Sequence, residues 1–255
     1  MSRSEAASLA EAPGFLTDNV QSVGCKAPSR TIGDGAIFFR AWLCRPVTIG
    51  AIMPTRTALA RAMARAAVSV GYGSVVELGG GTGPITRALV DSVPSPRSLV
   101  VIERDPTLHR LLTHRFPALR ILRGDAEDLL SILGVEDMGR VGTIVSSLPR
   151  VGWSLGRQRR ILEQCFSLLA AEGVFLEFSY GACSPVPSIL VNELSLVAQR
   201  LERLWANFPP ATVWGYRRVR AIRSAEQALS SEGTHITRPG RHRRPPPGPD
   251  PNLFE

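Results

Sequence analysis

Three carboxylates stand at the ends of apolar runs in this chain, and their type and spacing could do chemistry. Val75-Val76 leads into Glu77, Leu99-Val100-Val101-Ile102 leads into Glu103, and Leu119-Arg120-Ile121-Leu122 leads through Gly124 to Asp125. A carboxylate only accepts hydrogen bonds, and its two oxygens suit a pair of ligand hydroxyls. Directly after Glu77 comes Leu78-Gly79-Gly80-Gly81-Thr82-Gly83-Pro84, a glycine-rich turn closed by a proline. Proline is tolerated in the first turn of a helix, where its missing N–H costs nothing, and Ile85, Ala88 and Leu89 continue with helical spacing. Strand, tight turn and helix make the opening unit of a nucleotide-binding α/β sheet. Glycines at 79, 81 and 83 give G-x-G-x-G, not the G-x-G-x-x-G that packs a helix against a pyrophosphate. A ligand without phosphates is therefore favoured. Glu103 follows the turn by about twenty residues, where such sheets place a carboxylate for ribose hydroxyls. The plainer alternative for Glu103 is a loop glutamate facing solvent.

The elements that must position these groups can be read from the apolar pattern. The spacing predicts strands ending at Glu77 and Glu103, a helix from Pro106 to Phe116, a short strand at 119–122 and a helix from Glu127 to Leu133. Asp125 is also well placed as an N-cap for that last helix, a role compatible with ligand binding. Val141-Gly142-Thr143-Ile144-Val145 reads as a fourth strand, running into Ser146-Ser147-Leu148-Pro149-Arg150. A helix from about Ser154 to Ala170 and a fifth strand from Gly173 to Tyr180 follow. Leu196 to Trp205 and Ala211 to Val219, flanking Asn207-Phe208-Pro209-Pro210, read as the last two strands, the final one antiparallel.

At 255 residues the chain suits one core with tails. The net charge of +8 is almost wholly arginine, since Lys26 is the only lysine, and such a balance suits an acidic partner, nucleic acid or an anionic membrane. No apolar run reaches the roughly 18 residues of a spanning helix, and no stretch near the start resembles a signal peptide. Cys25, Cys44, Cys165 and Cys183 form no C-x-x-C pair, so unpaired thiols and a cytoplasmic setting are expected. His109, His114, His235 and His242 show no metal spacing.

Residues 1–33 read as a loose leader. Ala36 to Arg45 follows with a broad apolar surface of Ile37, Phe38, Phe39, Trp42 and Leu43, edged by Arg40 and Arg45. This is either a core helix or a helix lying in a membrane interface. Charge favours the second: between Asp34 and Glu77 stand arginines 40, 45, 56, 61 and 65 and no acid. Val47 to Pro54 reads as extended, and Thr55 or Thr57 could then cap a helix burying Leu59, Ala60, Met63, Ala66 and Ala67. Arg61 and Arg65 share another face of it. Residues 226–255 form a Pro/Arg-rich tail, too proline-dense to order and a weak candidate for a nucleic-acid arm.

The phrase E-L-G-G-G-T-G resembles motif I of class I S-adenosyl-L-methionine (SAM) methyltransferases. The segment F-F-R-A-W-L-C-R-P-V-T-I-G-A-I-M-P-T resembles the soluble bacterial phospholipid N-methyltransferases, as do V-S-S-L-P, the F-S-Y-G of Phe178 to Gly181, and N-F-P-P-A-T-V-W. The likeness runs from about Phe38 to Arg218 and leaves out leader and tail. It implies a Rossmann-like sheet of seven strands over 71–225, with helices on both faces. An amphipathic, membrane-associating segment over 34–70 would precede that sheet.

It further implies SAM as cofactor, held by Glu77 at its amino-acid moiety, by Gly79, Gly81 and Gly83, by Glu103 at the ribose, by Asp125 at the adenine, and by Arg104, Ala126 and Ser146. The acceptor would be the amine of phosphatidylethanolamine, methylated toward phosphatidylcholine on the inner face of the cell membrane. Phe38, Phe39, Arg40, Trp42 and Arg45 would meet the lipid, and neither metal nor nucleic acid would take part. Ser146, Ser147 and Tyr180 would flank the amine, although Tyr180 could equally be a packing residue. Two rivals stay open. An rRNA adenine dimethyltransferase shares motif I, but the fourth-strand turn lacks the Asn or Asp and the aromatic expected after its proline. A SAM-binding membrane protein without transfer activity is the other.

Overall fold

A computed structural model describes residues 53–70, 73–150, 152–205, 207 and 209–219. All of these fall within the first of two compact units, Met1–Ile222 and Arg223–Glu255. The leader, the proposed lipid-contacting residues Phe38, Phe39, Arg40, Trp42 and Arg45, and the Pro/Arg tail lie outside the described residues.

Helix α1 (Met53–Val70) opens the described chain. It already includes Thr55 and Thr57, so neither caps it, and Met53-Pro54 is helical rather than extended. The expected core face is present: Leu59, Ala60, Met63, Ala66 and Ala67 are buried. Five buried alanines (60, 62, 64, 66, 67) keep the helix surface smooth enough to lie close on the sheet. Arg61 is exposed, but Arg65 reaches across to Glu202 at 2.9 Å.

After α1 the chain alternates β1 (Ser74–Leu78), α2 (Pro84–Val90), β2 (Leu99–Glu103), α3 (Pro106–Arg115), β3 (Arg120–Arg123), α4 (Leu129–Leu133), β4 (Val141–Ser146), α5 (Leu155–Leu168), β5 (Leu169–Tyr180) and α6 (Ser188–Glu193). A closing hairpin, β6 (Leu196–Leu204) and β7 (Ala211–Arg218), completes the seven-stranded sheet in the order β3-β2-β1-β4-β5-β7-β6. β1 to β5 pair in parallel, while β7 enters between β5 and β6 and runs antiparallel to both.

Reversal of order on either side of β1 creates a crevice above the carboxyl ends of β1 and β4, the usual ligand position in such sheets. Two apolar layers hold the sheet. One packs α1, α2 and Leu112 of α3 against Val75, Val101, Val145, Val174, Leu176 and Phe178. The other packs α4, α5 and α6 against Val76, Leu78, Ile102, Ile144, Phe175, Trp214 and Tyr216. Alternate strand residues feed alternate layers, as the two-residue repeat of a strand requires.

The fifth strand starts earlier than the pattern suggests, at Leu169, which pairs with Val141. The pairing with β4 then slips, from Val141–Leu169 to Thr143–Val174, across Gly173, where a Cβ would lie 2.9 Å from the Ala170 carbonyl. Of the cysteines among the described residues, Cys165 is free and buried, whereas Cys183 is disulfide-bonded, contrary to the expectation of unpaired thiols. Among the described residues no helix is long and apolar enough to cross a membrane, and no cluster of His, Cys, Asp or Glu could hold a metal ion.

Candidate active site

The site starts with Glu77, which is fully buried near the end of β1 beside Val101 and Val145. Burial pushes its carboxyl up to about 7; Thr86 of α2 pulls it back toward ionisation, and Glu103 adds repulsion. Thr86 is near, yet neither Glu77 oxygen nor the Thr86 hydroxyl makes a well-formed hydrogen bond. An unpartnered buried carboxylate is costly unless something cationic or hydrogen-donating meets it.

The turn that follows fits a ligand lying against backbone. Gly79, Gly81 and Gly83 have φ of +78°, +58° and +85°, conformations that disfavour any side chain. A Cβ on Gly81 would meet nothing nearer than 3.9 Å, so that position opens on free space. A Cβ on Gly79 would instead strike Leu148 Cδ2 at 2.9 Å. The turn after β4 is therefore seated directly on the glycine turn.

Glu103 does more than its position in sequence suggests. Its Oε2 accepts from the Gly81 N–H at 2.8 Å and its Oε1 from the Asp105 N–H at 2.8 Å, with the residue 7% exposed. It is not a loop glutamate in solvent. Each oxygen still has a lone pair for a ribose hydroxyl, so one side chain shapes the glycine turn and can hold the ligand against it. Asp105 caps α3 through the Thr107 and Leu108 N–H groups.

Asp125 caps the 3-10 turn 126–128 by accepting from the Glu127 N–H at 3.1 Å, whereas the helix proper starts at Leu129 with Asp128 at its N-cap position. It also pairs with Arg104 at 3.1 Å and with Arg157 at 3.5 Å. Burial raises its carboxyl, but the Glu127 N–H and the two guanidinium groups outweigh this and hold it below the usual range. Arg104 is exposed and swings to Asp125, and Ala126 is buried beneath. Arg157 also lies over the Trp153 ring at 4.3 Å. Neither residue stood out in the sequence as part of this corner, although Arg157 sits in the arginine cluster that opens α5.

On the far side, Ser147 donates to the Gly79 carbonyl at 2.6 Å and approaches the Leu78 carbonyl at 3.2 Å. Its hydroxyl ties the β4 turn to the glycine turn. Ser146 is 1% exposed and lies opposite Leu78 of β1 and Glu177 of β5. Tyr180 is half-buried at the end of β5, edge-on to Phe178 at 5.7 Å, and packs against the layer that holds α1. Glu103 and Ser147 thus bear directly on the glycine turn that follows Glu77, while Asp125 is tied to Arg104 and Arg157. Sequence reading missed the buried pair Arg150–Glu177, which joins the turn after β4 to β5. Its signal was a lone acid inside the apolar run Val174 to Phe178.

These residues could hold SAM: Glu77 could meet its ammonium, the open glycine turn its amino-acid portion, Glu103 the ribose and Asp125 the adenine amine. No family model matches the chain. A curated relative, the ornithine lipid N-methyltransferase of Singulisphaera acidiphila, is 28% identical over 200 residues, covering 73% of this chain and 97% of that protein. The ribosomal RNA small subunit methyltransferase A of Chlorobium chlorochromatii is 41% identical over only 75 residues, 29% of this chain and 27% of its own. Among solved structures, the CurJ carbon methyltransferase superposes with a TM-score of 0.50 at 14% identity, covering 64% of this chain and 54% of that one. The chain thus spans about half of that structure. The fold is that of the class I SAM methyltransferases, and fold and relatives together imply S-adenosyl-L-methionine as the cofactor.

Proposed function

We propose that this protein moves methyl groups from SAM to the amine of phosphatidylethanolamine and its methylated intermediates, toward phosphatidylcholine, on the cytoplasmic face of a membrane. The match to a lipid N-methyltransferase along nearly that enzyme's whole length carries the lipid reading. That relative is named for ornithine lipid, which makes an ornithine headgroup the second reading. Both headgroups present an amine. The RNA reading rests on a short local match, and the β4 turn of this chain lacks the residues that hold an adenine.

The bound cofactor would supply an electrophilic sulfonium methyl. Catalysis then depends on alignment and on excluding water, with nucleophile and methyl brought close to contact. Glu77 would meet the ammonium of the cofactor, Glu103 would fix the ribose, and the Ser146–Pro149 turn would bring the acceptor against the methyl-bearing side. An ammonium has no lone pair, so the headgroup amine must lose a proton first. Tyr180, at the carboxyl end of β5, would orient the neutral amine while the proton leaves through water.

The test uses SAM labelled in its methyl group with vesicles containing phosphatidylethanolamine, vesicles containing ornithine lipid, or ribosomal RNA. Label in phosphatidylethanolamine supports the reading; label in ornithine lipid alone moves the substrate; label in RNA overturns the lipid assignment; no label anywhere leaves a binding protein without transfer activity. Tyr180→Phe should slow transfer while keeping SAM affinity. Equal loss of both would make Tyr180 a structural residue.

A further inference from the structure

Arg150 immediately follows the acceptor turn and has no role so far. Its Nε donates to Glu177 Oε1 at 2.6 Å, with the two side chains only 9% and 4% exposed. Glu177 stands opposite Ser146 on β4 and opposite Trp214 on β7, so it lies at the level where β4 ends. The guanidinium also sits over the Phe175 ring at 5.6 Å. Each partner keeps one buried polar atom without a partner, Arg150 Nη1 and Glu177 Oε2.

Such a pair is a poor way to stabilise a fold. Desolvating two charges offsets most of their attraction, and an apolar pair of similar volume would do as well or better. What the ion pair adds is direction. On its β1 side the turn is tied to the glycine loop through Ser147 and the Gly79 carbonyl. On its β5 side it is tied through Arg150 to Glu177. The turn is therefore fastened both to the strand end that meets the cofactor and to the strand beside the acceptor.

We propose that Arg150 and Glu177 are positioning residues: their buried ion pair fixes the far end of the Ser146–Pro149 turn on β5 and so sets where the acceptor amine stands relative to the methyl group. This rests on the lipid-methylation reading above. Arg150 from the turn acts on Glu177, and Glu177 in turn acts on Cys165 of α5 and Tyr216 of β7. Burial pushes Cys165 up to about 12 and raises Tyr216 as well, so both stay neutral near pH 7. Burial pushes the Glu177 carboxyl itself up to about 7 against the pull of Arg150, so the pair is fully charged only above neutral pH.

The decisive variant replaces both members together, Arg150→Met with Glu177→Leu, which restores an apolar interior. Thermal melting checks the fold, calorimetry gives SAM affinity, and labelled SAM with phosphatidylethanolamine vesicles gives kcat and KM. The expected result is a fold at least as stable as wild type and unchanged SAM affinity. Transfer should nevertheless be lower by roughly ten- to a hundredfold, the effect of a small misplacement of reacting groups. A double variant with wild-type kcat and KM overturns the inference. Arg150→Lys provides a second measurement that does not depend on the double variant folding. It keeps the charge but not the guanidinium geometry, so its transfer should fall with SAM affinity intact, and full activity overturns the inference equally. A wild type that labels no lipid overturns the lipid reading and this inference with it, whereas an active wild type beside an equally active double variant overturns this inference alone.

Discussion

At Glu77, stability and the proposed contact with the cofactor would pull in opposite directions. Its folded pKa, about 7, lies above the ordinary glutamate value of 4.5 because burial disfavours the charged form. The folded state therefore holds more protons than the unfolded one between those values, and stability falls as pH rises through that window. Glu77→Gln mimics the protonated form. It should stabilise the ligand-free protein at pH 8, on the order of 2 kcal/mol, with the gain shrinking toward pH 5. SAM affinity should fall about tenfold to a hundredfold through loss of a charge-assisted contact. Thermal melts at both pH values and calorimetry check this; a variant that binds like wild type removes Glu77 from the site. Glu103→Ala should weaken SAM to a similar degree, but for two reasons, since it also releases the Gly81 and Asp105 N–H groups. Comparing it with Glu103→Gln, which keeps one acceptor oxygen, separates contact from turn geometry by the affinity each retains.

Among the elements, the turn after β4 and the glycine turn behave as one unit. Gly79→Ala should cost about 1–2 kcal/mol for its left-handed backbone, and more because its Cβ would press on Leu148. Gly139→Ala is the control, with φ of +67° and nothing within 4 Å of the added Cβ. Chemical denaturation should show the larger loss for Gly79→Ala, and only that variant should lose methyl transfer. Equal losses would mean that the two turns do not bear on each other. Much of this architecture was legible in the residues. Apolar runs ending in Glu77, Glu103 and Asp125 marked strand ends, and helical spacing marked the buried face of α1. What escaped was tertiary. Helix α6 spans only Ser188–Glu193 and follows Pro185 and Pro187, too short for periodicity to register. Leu169 joins β5 because it meets Val141, not because of any local preference. Glu177 and Arg150 stand far apart in the chain, so their contact exists only once β5 lies beside β4. Glu103 as a clamp on Gly81 needed the strand ends side by side.

For the molecule as a whole, the net charge of +8 and the acid-free stretch from Asp34 to Glu77 suit an anionic partner, membrane or nucleic acid. One of the five arginines in that stretch, Arg65, is engaged by Glu202, so it cannot be counted as freely available to lipid. That leaves the weight of the membrane reading on the segment around Phe38 to Arg45. Phenylalanine and tryptophan would supply apolar area there, and each arginine near an anionic surface adds on the order of 1 kcal/mol, reduced by salt. Replacing Phe39 and Trp42 by Ala together with Arg40 and Arg45 by Glu should therefore abolish sedimentation with anionic vesicles. SAM affinity should be unchanged, because Glu77, the glycine turn and Glu103 all lie in the sheet beyond α1. Raising the salt should weaken wild-type sedimentation progressively, since exposed charge pairs are screened over roughly 8 Å at physiological ionic strength. A variant that still sediments would place the membrane contact elsewhere on the protein. A wild type that ignores vesicles but binds RNA with a steep salt dependence would assign the arginine excess to nucleic acid, and the phospholipid reading would fall with it.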